Sequence, residues 1–161
     1  MKKVLVVGAS GATGKLLVQQ LLQQEIKVVT IVRVSSTLSQ TNYVQPNLDI
    51  ISANISDMTT KHLASHLEDC DAVLCCLGHN LTLKGIFGEP KLLVTDTIEK
   101  ISRILETINA DKKVKIVLMN TTGNSNRDIP EKPPLSQRSV ISLLRLILPP
   151  HVDNEKAADY L

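Results

Sequence analysis

The sequence predicts an α/β fold: a doubly wound parallel sheet with helices on both faces, in three α/β/α layers. Three observations predict it. Short apolar runs alternate with segments whose apolar residues return every three or four positions. The runs are β-branched and nearly continuous, as in strands buried on both faces. The first run ends in a glycine-spaced turn that opens a helix. Strands joined through helices lie parallel through right-handed crossovers, and the strand order 3-2-1-4-5 follows by analogy with sheets of this kind.

Val4 to Val7 is the first strand, and Thr13 to Gln24 the first helix, with Leu16, Leu17, Leu21 and Leu22 at helical spacing. Lys27 to Val32 is the second strand, followed by a polar loop from Ser35 to Asn47 and a third strand from Leu48 to Ser52. Met58 to Leu67 reads as a helix and Ala72 to Leu77 as the fourth strand. From Pro90 to Asn109 the residues Leu93, Val94, Ile98, Ile101, Ile104, Leu105 and Ile108 hold one helical stripe, and Pro90 suits the first turn. Lys115 to Met119 is the fifth strand, and Asn120 to Pro134, with Gly123 and several prolines, is a loop. Leu135 to Leu148 is helical with a wide apolar face, and Pro149-Pro150 stops it before a last short helix near Val152. The chain ends at Tyr160-Leu161 inside that helix, with no C-cap and no following strand, so it reads as truncated at the C-terminus.

The 161 residues, 43% hydrophobic and 21% charged, suit a single globular domain over residues 1–161. A net charge of +2 with the cations dispersed, and an aromatic set of two Tyr and one Phe, argue against a nucleic-acid partner. Gly8 cuts the first apolar run short of a signal-peptide core, and no run approaches the roughly 18 residues of a membrane span. No membrane partner is expected, and the location is read as cytoplasmic. Cys70, Cys75 and Cys76 form no CxxC pair and read as reduced packing residues.

The glycine loop carries the chemistry. Gly8 ends the first strand where the chain must turn, Gly11 lets the backbone approach an anionic group, and Gly14 lets the helix pack close to the strand. With Ser10, Ala12 and Thr13 they form a loop that presents backbone N–H groups and the positive end of a helix to a pyrophosphate. A Rossmann-type dinucleotide site follows. An NAD binder places Asp or Glu about 20 residues on, at the end of the second strand, to hold the ribose 2′-hydroxyl. Arg33 stands there instead, with Ser35 and Ser36 beside it, and a guanidinium suits the 2′-phosphate of NADP(H).

The stretch GASGATG, with Arg33 after the second strand and Leu77-Gly78 after the fourth, resembles the atypical short-chain dehydrogenase/reductase proteins. The nearest groups are the NAD(P)H-binding, NmrA-like proteins and the flavin reductase/biliverdin reductase B family. The resemblance covers nearly the whole chain. It implies that Asn54 and Ile55 border the adenine and that Cys76, Leu77, Gly78 and His79 pass beneath ribose and nicotinamide. It also implies that Asn120 and Thr121 stand beside the nicotinamide, Thr121 keeping the hydroxyl of a flavin reductase serine, and that Asn154 replaces a histidine of that group.

The Tyr-x-x-x-Lys proton-donor pair of the superfamily is missing: Tyr43 is followed by Asn47, and Tyr160 has nothing four residues on. His79, at a strand end, is then the best candidate acid, and Thr121 the residue that orients substrate or nicotinamide. His62 and His66, one helical turn apart, lack a third ligand, so no metal is expected. The leading reading is an NADPH-dependent reductase of a small flavin-, quinone- or aromatic-type substrate, monomeric or homodimeric. The alternatives are a non-catalytic redox sensor of NmrA-like type and, below it, an epimerase or dehydratase.

Overall fold

The computed structural model describes residues 2–36, 45–79, 88, 90–108, 112–120 and 134–161. Five strands form one parallel sheet in the order β3-β2-β1-β4-β5: β1 (Lys3–Val7), β2 (Lys27–Val32), β3 (Leu48–Ser52), β4 (Ala72–Cys75) and β5 (Lys115–Leu118). This is the expected order. The registers align Val4 with Val28 and with Ala72, Val28 with Leu48, and Ala72 with Lys115.

Position in the sheet explains the sequence of each strand. β1 and β2 lie inside and are buried at every residue after the first lysine, which is why they read as unbroken apolar runs. β5 lies at the edge and alternates between exposed and half-buried residues. Thr30 is the polar exception in β2, and its hydroxyl donates to Val6 O at 2.9 Å, so the burial carries no orphan group.

α1 (Ala12–Gln23) covers one face, where Val4, Val6, Val18, Val28 and Val32 form a core with Leu17, Leu21, Leu22 and Leu74 packed against it. Strand alternation turns Leu5, Val7 and Val73 to the other face, and they too are buried. α2 (Thr60–Leu67) buries Leu63 and Leu67, and α3 (Leu93–Ile108) buries Val94, Ile98, Ile101, Ile104 and Leu105, the stripe foreseen by its period. Helix ends depart from expectation by up to three residues. α2 is preceded by a 3-10 turn at Ile55–Asp57 and starts at Thr60, because the Thr59 side chain accepts from His62 N and caps it there.

α1 closes in a way no sequence signal announced. Glu25 N donates to Leu22 O at 3.0 Å and Ile26 N to Leu21 O at 3.1 Å, the paired bonds of a Schellman motif. The left-handed position is filled by Glu25, at φ 55°, where glycine is the usual residue.

The chain divides into two compact units. The first, Met1–Leu77 with Lys100–Met119, contains the whole sheet. The second, Gly78–Glu99 with Asn120–Leu161, contains the start of α3, then α4 (Leu135–Ile147) and α5 (Pro149–Ala158). Pro149-Pro150 follow the end of α4 as read, but the last helix starts at Pro149 rather than near Val152. They open α5 in its first positions, where a missing N–H costs nothing and the ring fixes a helical φ. α5 also ends at Ala158, with Asp159 as its C-cap, rather than running through Leu161.

Candidate functional site

In the first unit the carboxyl end of every strand leads to a residue singled out above or to its neighbour. Gly8 follows β1, Arg33 follows β2, Asn54 lies two residues beyond β3, and Leu77 two beyond β4. Backbone bonds extend the ladder into these segments: Cys76 N donates to Val7 O at 2.9 Å, Ala53 N to Val32 O at 2.9 Å, and Met119 N to Cys75 O at 2.9 Å. A parallel sheet presents ligand-binding loops at this end, since all its strands finish there.

The three glycines have different reasons to be glycine. Gly8 has φ +82°, and a Cβ on it would lie 2.5 Å from the carbonyl of Cys76. A Cβ on Gly14 would lie 2.2 Å from Gly8 O. Both are demanded by the chain's own packing. A Cβ on Gly11 would meet only Gly8 O, at 3.4 Å, and its φ of −73° suits any residue. Nothing in the fold requires Gly11 to be bare, so its open surface fits a group brought from outside.

That surface is a helix N-terminus. Gly11 is the N-cap of α1 and offers no side-chain hydrogen bond, and no acidic residue stands in the first turn. Ala12 and Thr13 are exposed, so the helix starts one residue earlier than its sequence pattern implied. The unpaired N–H groups of a first turn and the positive helix end suit phosphate oxygens. The donor set thus fits a dinucleotide pyrophosphate.

Arg33 is exposed, and Ser36 N donates to its carbonyl at 2.8 Å, closing a short turn after β2. Asn54 is exposed and its Nδ2 donates to Asp57 Oδ2 at 2.9 Å, which leaves Oδ1 as the acceptor end of the amide. Ile55 is buried beneath it. Ser10 and Leu77 are half-buried.

The second unit holds Gly78, His79 and Asn120. Gly78 is exposed, and a Cβ on it would meet nothing within 4 Å, so it too is not a packing glycine. His79 is nearly enclosed, its Nε2 lying 2.8 Å from Asp153 Oδ2, with side-chain exposures of 6% and 0%. Asp153 also accepts from Val94 N and Thr95 N, both at 2.9 Å, and its carbonyl accepts from the Thr95 hydroxyl at 2.8 Å. Sequence reading passed over Asp153, because an aspartate in the middle of a short helix looks like a solvated residue. Asn120 Nδ2 donates to Asn154 O at 3.4 Å. His151 is buried, with Nε2 3.6 Å from Glu155 Oε1, and Glu155 takes a two-pronged contact from Arg145 at 2.8 and 2.9 Å. Thr121, the proposed orienting hydroxyl, lies outside the described residues.

Asp96, also near Asp153, has its carboxyl pushed up by burial, then by the charges of Asp153 and Glu99. The Cys76 thiol is likewise pushed up by burial, which disfavours the reactive thiolate. The His62 and His66 ring centroids are 5.0 Å apart, and among the described residues no group of three or more metal-ligating side chains gathers. No helix of the described residues is long and apolar enough to cross a membrane.

A family model described as NAD(P)H-binding matches residues 8–161. An uncharacterised chloroplast protein of Arabidopsis thaliana is 35% identical over 77 residues, covering 48% of this chain and 28% of its own length. Among solved structures, an oxidoreductase of Lactococcus lactis aligns with TM-score 0.65 and 18% identity, over 98% of this chain and 62% of its own. A Streptococcus pneumoniae protein assigned as an NADH-flavin reductase gives 0.61 and 20%, over 99% and 65%. A UDP-glucuronic acid 4-epimerase of Bacillus cereus, solved with its substrate and NAD, gives 0.66 and 17%, over 98% and 50%. At these identities the structural likeness is one of fold, and the chain spans less than two thirds of each of these relatives.

Proposed function

The chain belongs to the NAD(P)H-binding family, and on that premise we propose that it is an NADP(H)-dependent reductase of a small flavin-, quinone- or aromatic-type substrate. The observation that carries the cofactor half is the pairing of Gly11, bare without a packing reason, with Arg33, an exposed cation where an NAD binder carries an acid. When bound, the nicotinamide supplies the hydride.

In this reading Gly8, Gly11 and Gly14, with Ser10, Ala12 and Thr13, hold the pyrophosphate by backbone N–H groups. Arg33 and Ser36 hold the 2′-phosphate, Arg33 by a two-pronged guanidinium contact. Asn54 and Ile55 border the adenine, Asn54 through its acceptor oxygen. Leu77, Gly78 and Asn120 line the ribose and nicotinamide side, Thr121 orients the reacting partner, and His79 supplies the proton. A flavin or quinone needs little acid assistance, which suits a Tyr43 with Asn47, not Lys, four residues on. The protein acts in the cytoplasm as a monomer or homodimer.

Calorimetric titration with NADPH and NADH tests the cofactor half. NADPH binds more tightly, and Arg33→Asp weakens it by on the order of ten- to a hundredfold, the loss of a charge-assisted contact worth about 1.5–3 kcal/mol. Equal or tighter NADH binding by the unaltered protein would reject NADP(H). NADPH oxidation with flavins and quinones tests the reductase half. Tyr43, with Asn47 rather than Lys four residues on, favours one second reading, a redox sensor: a large affinity difference between NADP⁺ and NADPH without turnover would select it.

A further inference from the structure

We propose that Asp153 is a positioning residue that fixes the His79 imidazole in the tautomer carrying its proton on Nε2, so that Nδ1 is the unprotonated nitrogen of the neutral ring. The role of that tautomer in reduction rests on the function proposed above; the tautomer itself does not.

Three separate stretches of the second unit converge on this one carboxylate. His79 follows the fourth strand, Val94 and Thr95 are in the first turn of α3, and Asp153 is in α5. Asp153 Oδ1 takes Thr95 N, while Oδ2 takes Val94 N and sits 2.8 Å from His79 Nε2. Asp153 has no exposed surface, so among the described residues its charge is balanced by these partners. Two are backbone N–H groups in the first turn of a sixteen-residue helix, and an N–H can only donate. An ionised carboxylate only accepts, so Nε2 must be the donor. The carboxylate is itself held by both N–H groups, one on each oxygen, and the Thr95 hydroxyl holds the Asp153 main-chain carbonyl at 2.8 Å. It therefore cannot turn away to release the ring. An orienter of this kind sets which nitrogen is basic, and a wrong tautomer is costly even where geometry survives.

The test is ring nitrogen-15 NMR of histidine-labelled full chain at a pH where imidazoles are neutral. The four histidine signals are assigned with the help of His79→Gln. In the unaltered protein the His79 Nε2 carries a proton in slow exchange with water and Nδ1 shows the shift of a bare nitrogen. In Asp153→Asn that protected proton is lost or the two shifts exchange. Thr95→Val, which removes a packing hydrogen bond and keeps the carboxylate, leaves the signature in place. A bare Nε2 in the unaltered protein overturns the proposal without any variant, and so does an unchanged signature in Asp153→Asn. NADPH oxidation is the separate arm: Asp153→Asn lowers kcat by at least about tenfold with KM for NADPH little changed, as loss of a transition-state interaction does. Unchanged turnover with the NMR signature lost would remove His79 from the proposed chemistry and support its anchoring by Asp153.

Discussion

Two helix N-termini in this chain are finished in opposite ways. α1 begins at an exposed glycine with no side-chain cap and no acid in its first turn. α3 begins in the interior, and a buried aspartate from a distant helix fills the same electrostatic demand. Each end presents unpaired N–H groups and a partial positive charge. The chain answers that charge itself at α3 and leaves it to solvent and ligand at α1. The contrast separates a device of the fold from a device for binding, although the physical chemistry of the two ends is the same.

The largest effect should come from emptying the filled end. Asp153→Ala leaves Val94 N, Thr95 N and His79 buried without their acceptor, and urea unfolding should show a loss of about 3–5 kcal/mol. A loss below 1 kcal/mol would mean that water reaches this end as it reaches α1.

Next come the glycines that border the open end. Gly14→Ala drives a Cβ into Gly8 O and should cost about 1–3 kcal/mol of stability. Gly11→Ala should change stability by less than about 1 kcal/mol while weakening NADPH binding. Equal destabilisation by both would erase the distinction between a packing glycine and a binding glycine.

The C-terminal end of α1 offers a smaller change. Glu25→Gly relieves a left-handed non-glycine residue and should stabilise by up to about 1 kcal/mol, read as a raised Tm. This gain should leave cofactor affinity alone, since it acts at the end of α1 away from Gly11.

The smallest effect is a pH slope. Burial, helped by the charges of His62 and Lys3, holds the His66 imidazole below its ordinary 6.5. The unfolded chain then binds the proton more readily than the folded one. Stability from this source is present above about pH 6.5 and is lost as pH falls through the depressed folded value. His66→Gln should flatten that part of the stability profile. The Asp71 carboxyl is held low first by the Lys3 backbone N–H and then by Lys112. Its contribution is present above its ordinary 3.8 and fades at still lower pH.

Much of this was legible in residues read locally. The apolar runs of β1 and β2 and the stripe of α3 record burial directly, because a residue's partners there are any apolar surface at the right period. The five strands needed no more than that pattern and the handedness of crossovers, and their order followed by analogy with doubly wound sheets. Helix limits were less legible where a particular side chain or ring decides them: Thr59 caps α2, and Pro149 opens a helix that had been read as starting near Val152.

The candidate site divides along the same line. The sequence by itself determined that three glycines open a helix after a strand, and that Arg33 follows the second strand, because spacing along the chain suffices for both. Only the tertiary structure decided which glycines the fold requires. That depends on the carbonyls of Cys76 and of Gly8 itself, which come close only when strands and helix pack. It also decided that His79 is bound to a buried aspartate. The partners are 74 residues apart, and no local pattern records a hydrogen bond whose energy arises only when both ends are taken out of water.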